Sequence, residues 1–205
     1  FHAAGGRRHA ETLAPALEFL VAQTGHEASD LAGIAVDIGP GLFTGLRVGI
    51  ATAKAMAHAL AIPVVGLPSL DLVAFPLRYA ERRIVAALDA RRGELYWATY
   101  WPVPGGVQRD GGFRLTPPDE LASELLAEPT DTLVVGDGAH RYADVLGSIG
   151  GVELADPALS HPAASSLVQL AHARAMREEF VNQSEIEPIY LRKPDAEINW
   201  ATRHD

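Results

Sequence analysis

Between residues 33 and 66 the pattern of apolar and polar positions reads as strand, glycine loop, helix and strand. Positions 33–38 are an apolar run with branched side chains, interrupted only by Asp37, and Gly39-Pro40-Gly41 stops it because proline cannot donate to a ladder and glycine permits positive φ. Thr44 stands where a helix N-cap belongs, and a helix is predicted over 44–60. Pro63 then opens a second apolar run, Val64-Val65-Gly66-Leu67. Two buried strands joined by a helix predict a right-handed parallel crossover. At about 100° per residue, Arg47, Lys54 and His58 share one narrow sector of that helix. Most of its remaining surface is apolar or small, and Gly45, Gly49, Ala53 and Ala57 recur every four residues. A helix apolar most of the way round is covered on more than one side, so one face is expected on a sheet and another against a second protein.

The same patterning predicts an amphipathic helix over 9–24, with Ala10, Leu13, Ala16, Leu17, Leu20 and Val21 on one face, Pro15 near its start and Gly25 after its end. Phe19 falls off that face, which points to a second contact. Ser69 is expected to cap a short helix, 70–74, stopped by Pro76. A hairpin follows, with strands 83–88 and 94–100 and a turn at 89–93. Residues 102–112 are rich in Pro and Gly and read as loop. Next come a polar helix at 119–127, a strand at 132–135, the glycine loop Gly136-Asp137-Gly138-Ala139, a helix at 142–146 and a strand at 152–154. Ser165 or Ser166 is expected to cap a helix to about 180, with Leu167, Val168, Leu170, Ala171 and Ala175 on one face, before a polar tail. Strands alternating with helices, plus a hairpin, predict an α/β fold with mixed sheets flanked by helices. Two lobes are expected, 1–75 and 76–205, with the last helix returning to the first.

Composition narrows the function classes. The 205 residues suffice for a sizeable core, and there is no cysteine, hence no disulfide or thiolate metal site. No apolar run is long enough to span a bilayer and nothing resembles a signal peptide, so the cytoplasm is the expected compartment and no membrane partner is expected. Net charge is −9, and residues 116–165 hold nine Asp or Glu against the single Arg141. That acidity disfavours direct binding to a phosphate backbone, so contact with RNA is expected through a partner.

Gly39, Gly41 and Thr44 could offer backbone N–H groups and a helix start to a phosphate, and Gly136 and Gly138 could form the other jaw of a nucleotide cleft. Neither loop matches a P-loop, and a tight strand-to-helix turn explains each as well. The eight His include no pair at the spacing of a helical zinc site, no G-x-S-x-G occurs, and Asp37 and Asp89 at strand ends could serve as base, as Mg2+ ligand, or in a structural role. No catalytic residue and no metal ligand set emerges.

The stretches Gly39-Pro40-Gly41-Leu42-Phe43-Thr44-Gly45-Leu46-Arg47, Ala53-Lys54 and Ile62-Pro63-Val64-Val65-Gly66-Leu67-Pro68-Ser69-Leu70 resemble the signature of the TsaB family. Leu88-Asp89-Ala90-Arg91-Arg92-Gly93-Glu94-Leu95-Tyr96, Gly136-Asp137-Gly138-Ala139, Pro188-Ile189-Tyr190-Leu191-Arg192 and the opening Arg8-His9-Ala10-Glu11-Thr12-Leu13 extend the resemblance over almost the whole chain. It implies a two-lobed, actin-like and sugar-kinase-like fold. The implied role is in making threonylcarbamoyl-adenosine beside the tRNA anticodon, as a non-catalytic subunit that activates a TsaD-like paralogue. A TsaE-like ATPase, a homodimer when alone, and ATP or ADP at the complex interface are implied as well.

The catalytic paralogue has a metal-binding His-x-x-x-His after the strand matching 64–67, where this chain has Ser69 and Val73. That departure speaks against transferase chemistry and against a peptidase. An autonomous ATP-dependent kinase or ATPase of the same fold is the competing expectation. Family members begin with a strand and hairpin whose first loop carries Asp-Thr-Ser or Asp-Thr-Ala. This sequence opens on Phe1 without them, so a longer product is expected. In the family the first two helices build a four-helix contact, which here implicates Thr12, Phe19, Thr44, Arg47, Gly49, Ala53, Met56 and Ala57 as partner interface.

Overall fold

The computed structural model describes residues 9–192. The expectations placed on Arg8, on the side chain of Ala10 and on the polar end after Arg192 lie outside the described residues. In chain order the elements are α1 (His9–Thr24), β1 (Ile34–Gly39), α2 (Phe43–Leu60), β2 (Val64–Pro68), α3 (Ser69–Ala74), β3 (Arg83–Arg91), β4 (Glu94–Val103) and β5 (Gly106–Thr116). Then follow α4 (Pro118–Ala127), β6 (Thr132–Val135), α5 (Asp137–Arg141), α6 (Ala143–Leu146), β7 (Val152–Leu154) and α7 (Ala164–Ala175).

Two sheets form among the described residues. In the first, β1 and β2 pair in parallel, with Ile34 opposite Val64 and Asp37 opposite Leu67. Period-2 alternation decides which helix each face meets. Ile34, Val36 and Ile38 pack with Ile50, Ala53 and Ala57 of α2, while Ala35 packs with Val65, Leu67 and the α7 residues Leu167, Leu170 and Ala171. The second sheet is mixed, in the order β5-β4-β3-β6-β7, with antiparallel pairs around β4 and parallel pairs around β6. Ile84, Ala86, Tyr96, Ala98 and Tyr100 face Leu70, Val73 and Ala74 of α3. On the opposite face Val85, Ala87, Leu95 and Trp97 pack on Leu121 and Leu125 of α4, Ala139 of α5 and Leu146 of α6. The expected class, α/β with mixed sheets flanked by helices, is what the structure has. Helix α3 touches both sheets, and the phenolic O–H of Tyr100 donates to Asp71 Oδ1 at 2.8 Å while Arg109 Nη1 donates to the same oxygen at 3.1 Å.

Several local expectations are corrected. Thr44 is not the N-cap of α2: Leu42 holds that position with extended backbone and no side-chain cap, and Thr44 lies in the first turn. Pro15 lies inside α1 rather than at its start, on the exposed side. Ser69 is the first residue of α3 after an extended Pro68, and its hydroxyl turns to Asp37 instead of capping. Residues 106–116 are a strand, not a loop, because only Pro104 and Gly105 are needed to turn the chain and the exposed edge tolerates Gly111 and Gly112. Gly136-Asp137-Gly138-Ala139 is only partly loop, since α5 starts at Asp137. Helix α7 ends at Ala175, five residues short of Phe180, and its Val168 is exposed rather than packed.

Candidate functional site

A groove of about 760 Å³ opens beside the first sheet. Its apolar walls are Leu13 and Leu17 of α1, Gly45, Gly49 and Met56 of α2, and Leu167 of α7. Residues Ile34–Asp37 of β1 form its floor, and β1 has no ladder partner on that edge among the described residues. Helix α1 has no fully buried residue among its described side chains, and it exposes Phe19, at 61%, and Leu20. The stripe residues Leu13, Ala16, Leu17 and Val21 are only half-buried.

The polar end of the groove gathers carboxylates from three strand ends: Asp37 near the end of β1, Asp89 near the end of β3 and Asp137 after β6. Asp37 Oδ1 accepts the Gly39 N–H at 2.8 Å and the Ser69 hydroxyl at 2.6 Å. Burial pushes the Asp37 carboxyl above its ordinary range, and those two hydrogen bonds oppose the shift less strongly. The Asp89 side chain is 4% exposed and sits 3.1 Å from Arg91 Nη1 and 3.6 Å from Arg141 Nη1. Asp137 Oδ1 accepts the Asp89 N–H at 3.0 Å. All three carboxylates thus have local partners, and no cluster of His, Asp or Glu able to hold a metal forms among the described residues. The pairing of Asp37 with Ser69 was legible only as a polar residue in an apolar strand and a serine just past the neighbouring strand.

Both nucleotide-directed loops reach the groove, which Pro40, Gly41 and Asp137 line. Gly41 borders the groove, Gly39 lies behind it and Thr44 is exposed. A Cβ on Gly136, whose φ is +121°, would lie 2.0 Å from the Ala87 carbonyl oxygen, and one on Gly138 would lie 2.5 Å from Leu95 Cδ2. Close packing of this segment on β3 accounts for both glycines without a ligand.

The interface-directed residues divide. Thr12, Phe19, Thr44 and Arg47 are exposed, while Gly49 and Met56 border the groove. Ala53 and Ala57 are 6% and 0% exposed and belong to the core between α2 and the sheet; Ala53 also borders the groove, and Ala57 does not. The i, i+4 spacing could not separate the sheet-facing members from the open ones. A Cβ on Gly49 would meet nothing within 4 Å, so nothing in this chain's own packing requires a glycine there. Residues missed in the sequence stand near α2: Phe43 and Tyr190 have ring centroids 5.5 Å apart, and the Arg47 guanidinium lies 3.7 Å from the Phe43 centroid.

Comparison with known proteins places this arrangement. The family described as TsaD, tRNA N6-adenosine threonylcarbamoyltransferase, matches residues 3–200. The tRNA threonylcarbamoyladenosine biosynthesis protein TsaB of Bacillus subtilis is 31% identical over 95% of this chain and 84% of its own length. The protein of that name from Escherichia coli is 29% identical over 91% of this chain and 81% of its own length. The solved structure of YeaZ from Pseudomonas aeruginosa is 32% identical, covers 90% of this chain and 85% of its own, and superposes with a TM-score of 0.78. The chain belongs to the TsaB family. The transferase's two metal-binding His are implied at positions 69 and 73, and these residues do not fit a metal. The Ser69 hydroxyl donates to Asp37, and Val73 is an apolar side chain in the core between α3 and β3. Neither can supply imidazole to a transition metal.

Proposed function

We propose that this chain is a non-catalytic subunit of tRNA threonylcarbamoyladenosine biosynthesis. It pairs with a TsaD-like transferase and activates it rather than performing the transfer. Membership of the TsaB family supports the process, since the B. subtilis and E. coli relatives carry it in their names. One observation carries the docking role: the groove-side surface of α1 and α2 is apolar and open, and Gly49 at its centre leaves room for another backbone. The replacement of both implied metal ligands by Ser69 and Val73 supports the non-catalytic part.

In this reading the partner surface comprises Thr12, Phe19, Thr44, Arg47, Gly49 and Met56, without Ala53 and Ala57. A second copy of the chain covers the same face when the transferase is absent. A TsaE-like ATPase joins the pair, ATP or ADP sits at the interface of the complex, and tRNA is reached through the transferase. No helix among the described residues is long and apolar enough to cross a membrane.

The test is co-purification of the full-length protein with a TsaD-like transferase, followed by modification of tRNA. Complex formation, and modification that depends on this chain, are expected. Modification by the transferase alone at the same rate, or ATP turnover by the isolated chain matching that of the complex, would overturn the reading in favour of an autonomous ATPase.

A further inference from the structure

The cationic sector of α2 that stands out in the sequence is not a solvated stripe. Arg47 Nε donates to the Tyr190 hydroxyl at 2.9 Å, Lys54 Nζ donates to the Ser184 carbonyl at 3.4 Å, and the Gln183 amide lies 3.0 Å from His58 Nδ1. All three partners come from the segment 181–192, which follows α7 and has no regular secondary structure of its own apart from a single bridge, Val181 to Val64.

The segment is fitted to what it crosses. Ile186 is buried in the core of the first sheet. A Cβ on Gly66 would come within 3.1 Å of Ile186 Cδ1, and one on Gly39 would come within 3.2 Å of the Ile189 carbonyl oxygen. Two glycines of β1 and β2 therefore leave the space that the segment fills. The Ile189 N–H donates to the Ile38 carbonyl at 2.7 Å, at the end of β1. Three residues on, Arg192 reaches the second sheet, where it donates to the Ala90 carbonyl at 3.0 Å and to the Glu94 carboxylate.

That far anchor grips the turn between β3 and β4. Arg91, Arg92 and Gly93 have φ of +63°, +56° and +78°. Two consecutive non-glycine residues in the left-handed region persist only where surrounding contacts hold them. The segment thus ties the end of β1, which carries Asp37, to the turn that follows Asp89 at the end of β3, and both carboxylates face the groove.

We infer that residues 181–192 are a latch across the two sheets, with Arg192 as the positioning residue that holds the β3–β4 turn and sets the width of the cleft between Asp37 and Asp89. When the latch is closed, Asp89 and the turn stand at a fixed distance from the end of β1. When Arg192 lets go, the turn relaxes and the two sheets separate about the α3 connection.

The experiment uses the full chain with Arg192→Ala and Arg192→Lys. The chain has no cysteine, so Glu18→Cys on α1 and Glu120→Cys on α4 give two clean label sites for distance measurement. Amide exchange is followed in parallel. Arg192→Ala is expected to speed exchange at Ile189 and at 89–94 by about tenfold or more and to broaden the α1–α4 distance distribution. Arg192→Lys, which keeps the charge but not the fork, is expected to recover part of both. Unchanged exchange and distance would overturn the latch. So would faster exchange at 89–94 with an unchanged distance, because Arg192 would then cap a turn and nothing more. Should Arg192→Ala fail to fold, Glu94→Gln removes only the charged half of the anchor and is judged by the same two readouts.

Discussion

Among the described carboxylates, Asp37 has an environment that disfavours its charge. Its carboxyl is buried and pushed above the ordinary 3.8, so the folded state takes up a proton between that value and the raised one. Stability is therefore lost as pH rises through that window and stays level above it. Asp37→Asn keeps an acceptor for Gly39 and Ser69 and cannot ionise. The variant is expected to be more stable than the native chain at neutral pH in urea, with the gap closing as pH falls below the raised value. Parallel curves would contradict the assignment. Glycines give a second contrast at this scale. Gly136→Ala drives a Cβ into the Ala87 carbonyl and is expected to cost about 3 kcal/mol, whereas Gly49→Ala meets open space inside a helix and is expected to gain about 0.5–1 kcal/mol by the same denaturation. In the sequence Gly136 is a loop glycine and Gly49 a helical one, but neither position shows whether a side chain would fit. What separates them is the strand beneath Gly136, which only tertiary packing reveals.

Among elements, the short strands β6 and β7 and the short helix α3 were legible along with the long α1, whereas the edge strand β5 and the end of α7 were not. The limits of α1 and the parallel pairing of β1 with β2 follow from apolar spacing and glycine punctuation. Strand β5 was hidden because an exposed edge strand has no apolar face to advertise it. It shows itself through cross-strand partners instead, with Trp97 Nε1 donating to Thr116 Oγ1 at 2.9 Å and the Arg114 guanidinium 4.5 Å from the Trp97 ring centroid. The segment 181–192 was hidden because it has no regular periodicity, and its docking residues on α2 were visible only as an unexplained sector. Helix α3 carries an elemental prediction, since Asp71 joins it to β4 and β5 through Tyr100 and Arg109. Tyr100→Phe removes a buried hydrogen bond to a charged group and is expected to cost about 1.5–3 kcal/mol in urea denaturation. A cost near zero would mean that the apolar contacts of α3 alone join the sheets.

For the whole molecule, the family follows from motifs spread over the chain, but which surface remains open does not. Sequence spacing put Ala53 and Ala57 with Gly49 on one stripe, and the fold packs the two alanines into the core while leaving open space at Gly49. Replacing Ala53 would damage the core between α2 and the sheet, while Gly49 is free to be enlarged without that cost. This makes Gly49→Trp the cleanest probe of the proposed docking face. The direct measurement is threonylcarbamoylation of tRNA by a TsaD-like transferase, supplied with its adenylate substrate and ATPase, with and without this chain in native and Gly49→Trp form. Modification is expected to depend on the native chain and to fall about tenfold or more with Gly49→Trp, at an unchanged melting temperature. Equal modification with the native chain, with the variant and with neither would contradict the account.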